Sequence, residues 1–226
     1  MAKPISIAID GPAGAGKSTI ARRLAKELGF YYVDTGAIYR TVAYFFYLWG
    51  VSPKDIDGIT RYIDELTIGI EYDDEGVQHM IMNGMDVTGD IRTPDLSQKA
   101  SLVSAHAIVR DLLLDMQREM AEKHNVIMDG RDIGTVVLPK ATVKIFLTAT
   151  PEVRAKRRTE ELIAKGQKAD YNKILKDIQQ RDYQDTHREI APLKMARDSV
   201  KLDTSELDID GVIAAMKEII ARKVTL

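Results

Sequence analysis

The sequence predicts an α/β fold: a parallel five-stranded sheet with helices on both faces, plus a small antiparallel β insertion. Three observations lead there. Short β-rich runs alternate with longer stretches of helical periodicity, as in a parallel sheet covered by helices. A glycine-rich turn joins the first such run to the first helical stretch. One segment, residues 65–92, breaks the rhythm with paired short strands and tight turns.

The elements follow in order. Ile5, Ile7 and Ile9 alternate with small or polar residues, which predicts a strand over Ile5–Ile9. Ile20, Leu24 and Leu28 recur every four residues and predict a helix over Lys17–Leu28, closed by Gly29. Tyr31–Val33 reads as the second strand and Ala37–Trp49 as the second helix, closed by Gly50. Thr67–Tyr72 and Val77–Met82 flank Asp73-Asp74-Glu75-Gly76, and Asn83-Gly84 leads to Met85–Val87. These turns predict an antiparallel unit, expected at the ligand-binding end of the main sheet. One long helix is predicted over Ala100–Lys123, then strands at Val126–Met128 and Val143–Leu147. Pro151 suits the first turn of a helix over Pro151–Lys165. A helix at Lys173–Arg188, a strand at Val200–Leu202 and a helix at Ile209–Lys223 complete the pattern.

Composition narrows the function. A chain of 226 residues suits one α/β domain with insertions or two small domains, and 45% hydrophobic residues support a core. The formal charge of −2 gives no electrostatic reason to wrap nucleic acid. The absence of cysteine excludes disulfides, thiolate metal sites and a cysteine nucleophile, and fits a reducing compartment. Met1–Pro4 runs directly into the first strand without an apolar leader, and the longest apolar stretch, Val42–Val51, is too short to span a bilayer. The expectation is a soluble, cytoplasmic monomer with no membrane or nucleic-acid partner.

The most specific local signal is Gly11-Pro12-Ala13-Gly14-Ala15-Gly16-Lys17-Ser18, which fits G-x-x-x-x-G-K-S/T between a strand and a helix. Glycines let backbone N–H groups turn inward around phosphate, and the helix start adds unpaired N–H groups and the positive end of its dipole. Lys17 can reach the outer phosphates and the Ser18 hydroxyl a Mg²⁺ shell. The pattern predicts binding of a nucleoside triphosphate by a P-loop NTPase-type core.

Other charged stretches allow two readings each. Asp34-Thr35-Gly36-Ala37-Ile38-Tyr39-Arg40 follows a strand and opens a helix, where ligands collect in open α/β sheets. Arg40 there is either a phosphate fork or an ordinary first-turn arginine. Asp129-Gly130-Arg131-Asp132 ends a buried-strand run. Asp129 occupies the place of a Mg²⁺-binding carboxylate, Arg131 can hold phosphate, and Asp132 can accept from the exocyclic amine of cytosine. The plainer reading is a charged turn with an Arg–Asp pair. Arg154, Arg157 and Arg158 share one helix face, either to neutralise phosphates or as a solvated face paired to Glu160 and Glu161. Ile174, Ile178, Arg181, Asp185 and Arg188 form a stripe that begins apolar and ends charged. It either runs from core into cleft or fades outward, with Arg181 and Asp185 as an i, i+4 pair.

The phosphate loop, DTGAIYR, GDIRT (Gly89–Thr93), DGRDIG (Asp129–Gly134) and RDxxDxxR (Arg181–Arg188), in that order, resemble the bacterial cytidylate kinases, members of the nucleoside monophosphate kinase family. The resemblance spans essentially the whole chain, including the β insertion. It implies a core of residues 1–36, 94–150 and 169–226, a monophosphate-binding domain over 37–93 and a helical lid over 151–168. It implies ATP held by Gly11, Pro12, Ala13, Gly14, Ala15, Gly16, Lys17, Ser18, Thr19 and Arg157, with Mg²⁺ at Ser18 and Asp129. Thr35, Tyr39, Arg40, Ser101, Arg110, Gly130, Arg131, Asp132, Arg181, Asp185 and Arg188 would bind the acceptor. Among them Arg40, Arg131 and Arg188 would grip its phosphate, and Ser101, Arg110 and Asp132 would read cytosine. Lys17, Arg131, Arg154, Arg158 and Arg188 would be catalytic. The implied reaction transfers phosphate from ATP to CMP or dCMP. UMP or AMP as acceptor is the nearest alternative. A GTPase switch would need an N/T-K-x-D motif that Thr148-Ala149-Thr150-Pro151 does not supply. The nucleophile would be a phosphate oxygen that is already ionised, so none of His79, His106, His124 and His187 is needed as a base.

Overall fold

The computed structural model describes residues 3–224. Five parallel strands run in the order β2-β6-β1-β7-β8: β1 (Ser6–Asp10), β2 (Tyr31–Asp34), β6 (Val126–Gly130), β7 (Val143–Thr148) and β8 (Val200–Asp203). Alternation splits β1, β2 and β6 between two cores, while the buried apolar side chains of β7 all enter one of them. Ala8, Val33, Val126 and Met128 face one side, where they meet Phe45, Val103 and Leu113. These come from α2 (Thr35–Leu48), α4 (Pro94–Val103) and α5 (Ala107–Lys123). Ile7, Ile9, Ile127 and Ile145 face the other, against Leu24 of α1 (Lys17–Leu28) and Met216 of α8 (Ile209–Ala221). Helices therefore cover both faces, as the sequence predicts. The register sets Asp34 level with Asp129, and Asp10 level with Gly130. Three carboxylates thus gather at the C-terminal edge.

The insertion is a separate three-stranded antiparallel sheet of β3 (Ile68–Tyr72), β4 (Gln78–Met82) and β5 (Met85–Asp86). Its second turn is Asn83-Gly84, with φ of 48° and 81°, the backbone that a two-residue hairpin demands.

The helix predicted over Ala100–Lys123 is two helices. Thr93 caps α4 by accepting from Leu96 N at 3.2 Å, and the chain breaks at Ser104-Ala105-His106 before α5 begins. Ser104 Oγ bonds back to the Ser101 carbonyl at 2.9 Å, and His106 Nε2 donates to the Pro53 carbonyl at 2.8 Å. Serine competing for helical carbonyls, together with an anchored histidine, turns the chain without glycine or proline. A short helix, α3 (Ile56–Tyr62), is absent from the sequence reading; Asp55 caps it through Gly58 N at 3.0 Å. The remaining helices are α6 (Pro151–Ala164) and α7 (Tyr171–His187). Among the described residues no helix is long and apolar enough to cross a membrane.

Candidate active site

A cleft of about 750 Å³ opens beyond the C-terminal edges of β1, β2 and β6. The phosphate loop forms one wall. Gly14 and Gly16 have φ of 74° and 87°, left-handed values that other residues adopt at a cost. Gly11 lies against β7, and a Cβ there would stand 1.9 Å from the Leu147 carbonyl oxygen. Gly11 and Pro12 do not line the cleft; they shape the loop behind it, and the Pro12 carbonyl accepts from Lys17 Nζ at 2.8 Å. Burial, followed by the positive charge of Arg131, pulls the Lys17 pKa well below its ordinary value. An anion beside it would reverse that shift.

Asp129 sits at the centre. Its carboxylate accepts from Ser18 Oγ at 2.9 Å and Tyr32 OH at 2.8 Å, while Thr35 Oγ1 donates to its carbonyl at 2.7 Å. Burial, then the Asp34 charge, pushes its pKa up to about 6. Ser18 and Asp129 are hard oxygen donors side by side, which suits Mg²⁺. Among the described residues no three Asp, Glu, His or Cys side chains converge as a metal site. Such an ion would therefore depend on phosphate and water oxygens, as Mg²⁺ commonly does.

The opposite wall carries Arg40 from α2, Arg131 after β6, and Arg181, Asp185 and Arg188 from α7 and its C-terminal cap. Arg131 Nε donates to Asp185 Oδ2 at 2.8 Å, so Asp185 pairs with the loop after β6 rather than with Arg181 one turn back. Burial alone would raise the Asp185 pKa; Arg131 holds it below the ordinary range. Ser101 Oγ reaches Asp185 Oδ1 at 3.3 Å. Among the described residues, the Nε atoms of Arg40 and Arg181 are buried and find no partner. Burial, then Arg131, lowers the Arg181 pKa to about 10. A site that crowds guanidinium groups and leaves their donors unused is built for an anion.

Asp132 accepts from Arg110 and, at 3.2 Å, from Arg188 NH2; Arg188 NH1 also reaches Ser104 Oγ at 3.2 Å. Arg110 stands behind Asp132 and does not itself line the cleft. Tyr39 packs beside it, with the Arg110 guanidinium carbon 5.8 Å from the ring centre, and burial pushes its pKa up to about 12.

The three arginines of α6 divide sharply. Arg154 is buried, donating to Ala149 O, to Ala13 O of the phosphate loop at 2.9 Å, and through both terminal nitrogens to Asp182. Arg157 binds Thr204 O at 2.6 Å and Leu207 O at 3.2 Å, fixing a loop that borders the cleft. Arg158 holds only Glu161 at 2.7 Å, and both are exposed.

Sequence reasoning missed five supporting side chains. Asp10 accepts from Ile133 N and Gly134 N, both at 2.7 Å, and so ties the end of β1 to the loop that presents Arg131 and Asp132. Its pKa, raised by burial, is about 6. Tyr32, Asp34, Ser104 and Asp182 are the others. Of these, Asp10 and Asp34 carried a signal as carboxylates at the ends of apolar strands, and Asp182 as a member of the RDxxDxxR motif.

The comparisons with known proteins agree with one another. The family model described as cytidylate kinase matches residues 7–222. A cytidylate kinase from Carboxydothermus hydrogenoformans is 51% identical over 96% of this chain and 97% of its own length. One from Lactobacillus johnsonii is 50% identical over 97% of this chain and 95% of its own. A crystal structure of an uncharacterized protein from Eubacterium ventriosum shares the fold, with a TM-score of 0.51 and 13% identity over 96% of this chain and 98% of that one. Matched along nearly its whole length by both model and relatives, the chain belongs to the cytidylate kinase family.

Proposed function

We propose that the chain transfers the γ-phosphoryl group of ATP to CMP and dCMP. The observation that carries the reading is the cleft itself, in which the phosphate loop faces a second anion site built from Arg40, Arg131, Arg181 and Arg188. The phosphate loop binds the triphosphate and Arg157 steadies the loop beside it. The arginine wall binds the acceptor's phosphate. Asp132, steadied by Arg110 and Arg188, accepts from the exocyclic amine of cytosine, where uracil offers only a carbonyl oxygen. Asp185 faces the sugar.

An oxygen of the acceptor phosphate attacks the γ-phosphorus of ATP. A new P–O bond forms to the acceptor, the bond to the β,γ-bridging oxygen breaks, and ADP departs. The attacking oxygen is largely ionised near pH 7, its second pKa being about 6, so positioning and charge neutralisation suffice. Lys17 and Arg131 stand where the two phosphates meet, and Arg188 braces the acceptor. Mg²⁺, held by Ser18 and Asp129, would offset charge on the triphosphate. Residues 151–168 serve as a lid, with Arg158 free to approach the transferred group.

An ADP-release assay with ATP and Mg²⁺ against CMP, dCMP, UMP, AMP and GMP tests this. Preference for CMP and dCMP is the expected result. A preference for UMP or AMP would overturn the base assignment and leave the kinase assignment intact.

A further inference from the structure

The β insertion meets the elements of the active site through apolar packing of Met80 against α2 and through polar contacts on β2. β2 is the edge strand of the parallel sheet. Tyr31 N donates toward the β6 side, to Asn125 O, so the alternate residues Tyr32 and Asp34 turn their backbone groups outward. An exposed edge of that kind needs partners. Among the described residues no strand of the insertion joins β2; side chains of β3 and β4 do so instead. Tyr72 OH donates to Tyr32 O at 2.9 Å, and Gln78 Oε1 accepts from Asp34 N at 2.7 Å.

The two bonds lead to different places. Tyr32 leads to the metal side of the cleft, its hydroxyl donating to Asp129 Oδ1 at 2.8 Å, and not to an arginine of the acceptor wall. Asp34 does lead to one: its Oδ1 caps α2 through Ala37 N at 2.8 Å, and its Oδ2 accepts from Arg40 NH2 at 3.2 Å. Gln78 is buried, and its Nε2 packs on Met80 Sδ at 3.0 Å and reaches the Asp34 carbonyl at 3.5 Å, which leaves the amide little room to turn. A shift of the Asp34 peptide would carry the helix cap and the Arg40 partner with it. We infer that Gln78 is a positioning residue for acceptor binding: through Asp34 it sets how Arg40 meets the acceptor's phosphate. The inference rests on the CMP kinase reading above.

Gln78→Met keeps length and apolar contact but removes the strong acceptor. It should raise KM for CMP about five- to tenfold, the effect of losing one buried bond, with KM for ATP unchanged. Gln78→Glu restores an acceptor for Asp34 N and should recover part of the loss. Tyr72→Phe deletes the neighbouring bond and should lower the thermal midpoint as much as Gln78→Met does, yet leave KM for CMP near wild type. In an Arg40→Ala background, Gln78→Met should add nothing further to KM for CMP. Equal KM effects from Tyr72→Phe and Gln78→Met, or a Gln78→Met effect undiminished without Arg40, would overturn the inference and reduce Gln78 to a fastener for the insertion. Should the wild-type chain fail to phosphorylate CMP, it is the underlying reading that falls, and the two failures are distinguishable.

Discussion

Arg154 and Arg157 of α6 and Arg40 and Arg181 of the acceptor wall border one cleft but are held in opposite ways. Arg154 and Arg157 spend their donors on carbonyls and on Asp182. Arg40 and Arg181 keep a buried donor with no partner among the described residues. A guanidinium given carbonyls becomes a bolt; one given other guanidiniums becomes an anion receptor. Residue type and helix face do not separate the two roles, because only the local supply of acceptors decides them.

The largest effect that bears on this contrast is kinetic. Lys17→Ala or Arg131→Ala should cost about 3–4 kcal/mol of transition-state stabilisation, the loss expected of one preorganised donor. Lys17 belongs to the phosphate loop and Arg131 to the facing wall, and the two are close enough for Arg131 to depress the Lys17 pKa. Steady-state kcat/KM with CMP measures the loss, and wild-type-like turnover in either variant would place the reacting phosphates elsewhere.

Next comes a paired stability test. Arg154→Ala leaves Asp182 and two carbonyls without their donors and should lower the unfolding free energy by about 3 kcal/mol. Arg181→Ala should not lower it, because burial, then Arg131 and Arg40, disfavour that guanidinium's charge by more than Asp185 and Asp182 favour it. Its cost should appear as weaker CMP binding. Urea unfolding and CMP titration on both variants decide the matter, and equal destabilisation would erase the distinction.

How far the sequence carried this picture depends on the range of the signal. The phosphate loop, the Asn83-Gly84 hairpin and the alternating strands are legible because turn chemistry and periodicity are local. Asp129 and Arg131 were legible because they end a buried strand. The break at Ser104 was not, since it is anchored by Pro53 and Ser101 rather than by a breaker residue. Nor was the burial of Arg154, whose partner Asp182 lies 28 residues away on another helix. Asp10 carried a positional hint, yet its partners are 123 and 124 residues distant. What a side chain is depends on sequence; which acceptor it meets depends on tertiary packing.

The carboxylates sharpen the comparison from the other sign. Asp10 is satisfied by backbone N–H groups, whereas Asp129 is satisfied by hydroxyls that can rotate. The folded pKa of Asp129, about 6, lies above its ordinary 3.8, so the folded chain binds that proton more tightly than the unfolded chain does. Its burial cost is therefore full above pH 6 and relieved as pH falls toward 4. Asp129→Asn should raise the unfolding free energy at pH 7 by about 1–3 kcal/mol, a gap that closes by pH 4, while activity is lost. Denaturation at both pH values tests it; a gap that widened on acidification would refute the assignment of that titration to Asp129.

The smallest expected effect on stability lies within α6 itself. Arg158 shares a helix face with Arg154 but holds only exposed Glu161, a contact worth no more than about 0.5 kcal/mol in water. It also lines the cleft. Arg158→Ala should leave the thermal midpoint nearly unchanged and still reduce kcat, because the side chain is free to move toward the transferred phosphoryl group. Measured beside Arg154→Ala, it splits one helix into a bolt and a reaching arm. Should kcat stay at the wild-type value, the proposed part of Arg158 in phosphoryl transfer would fall.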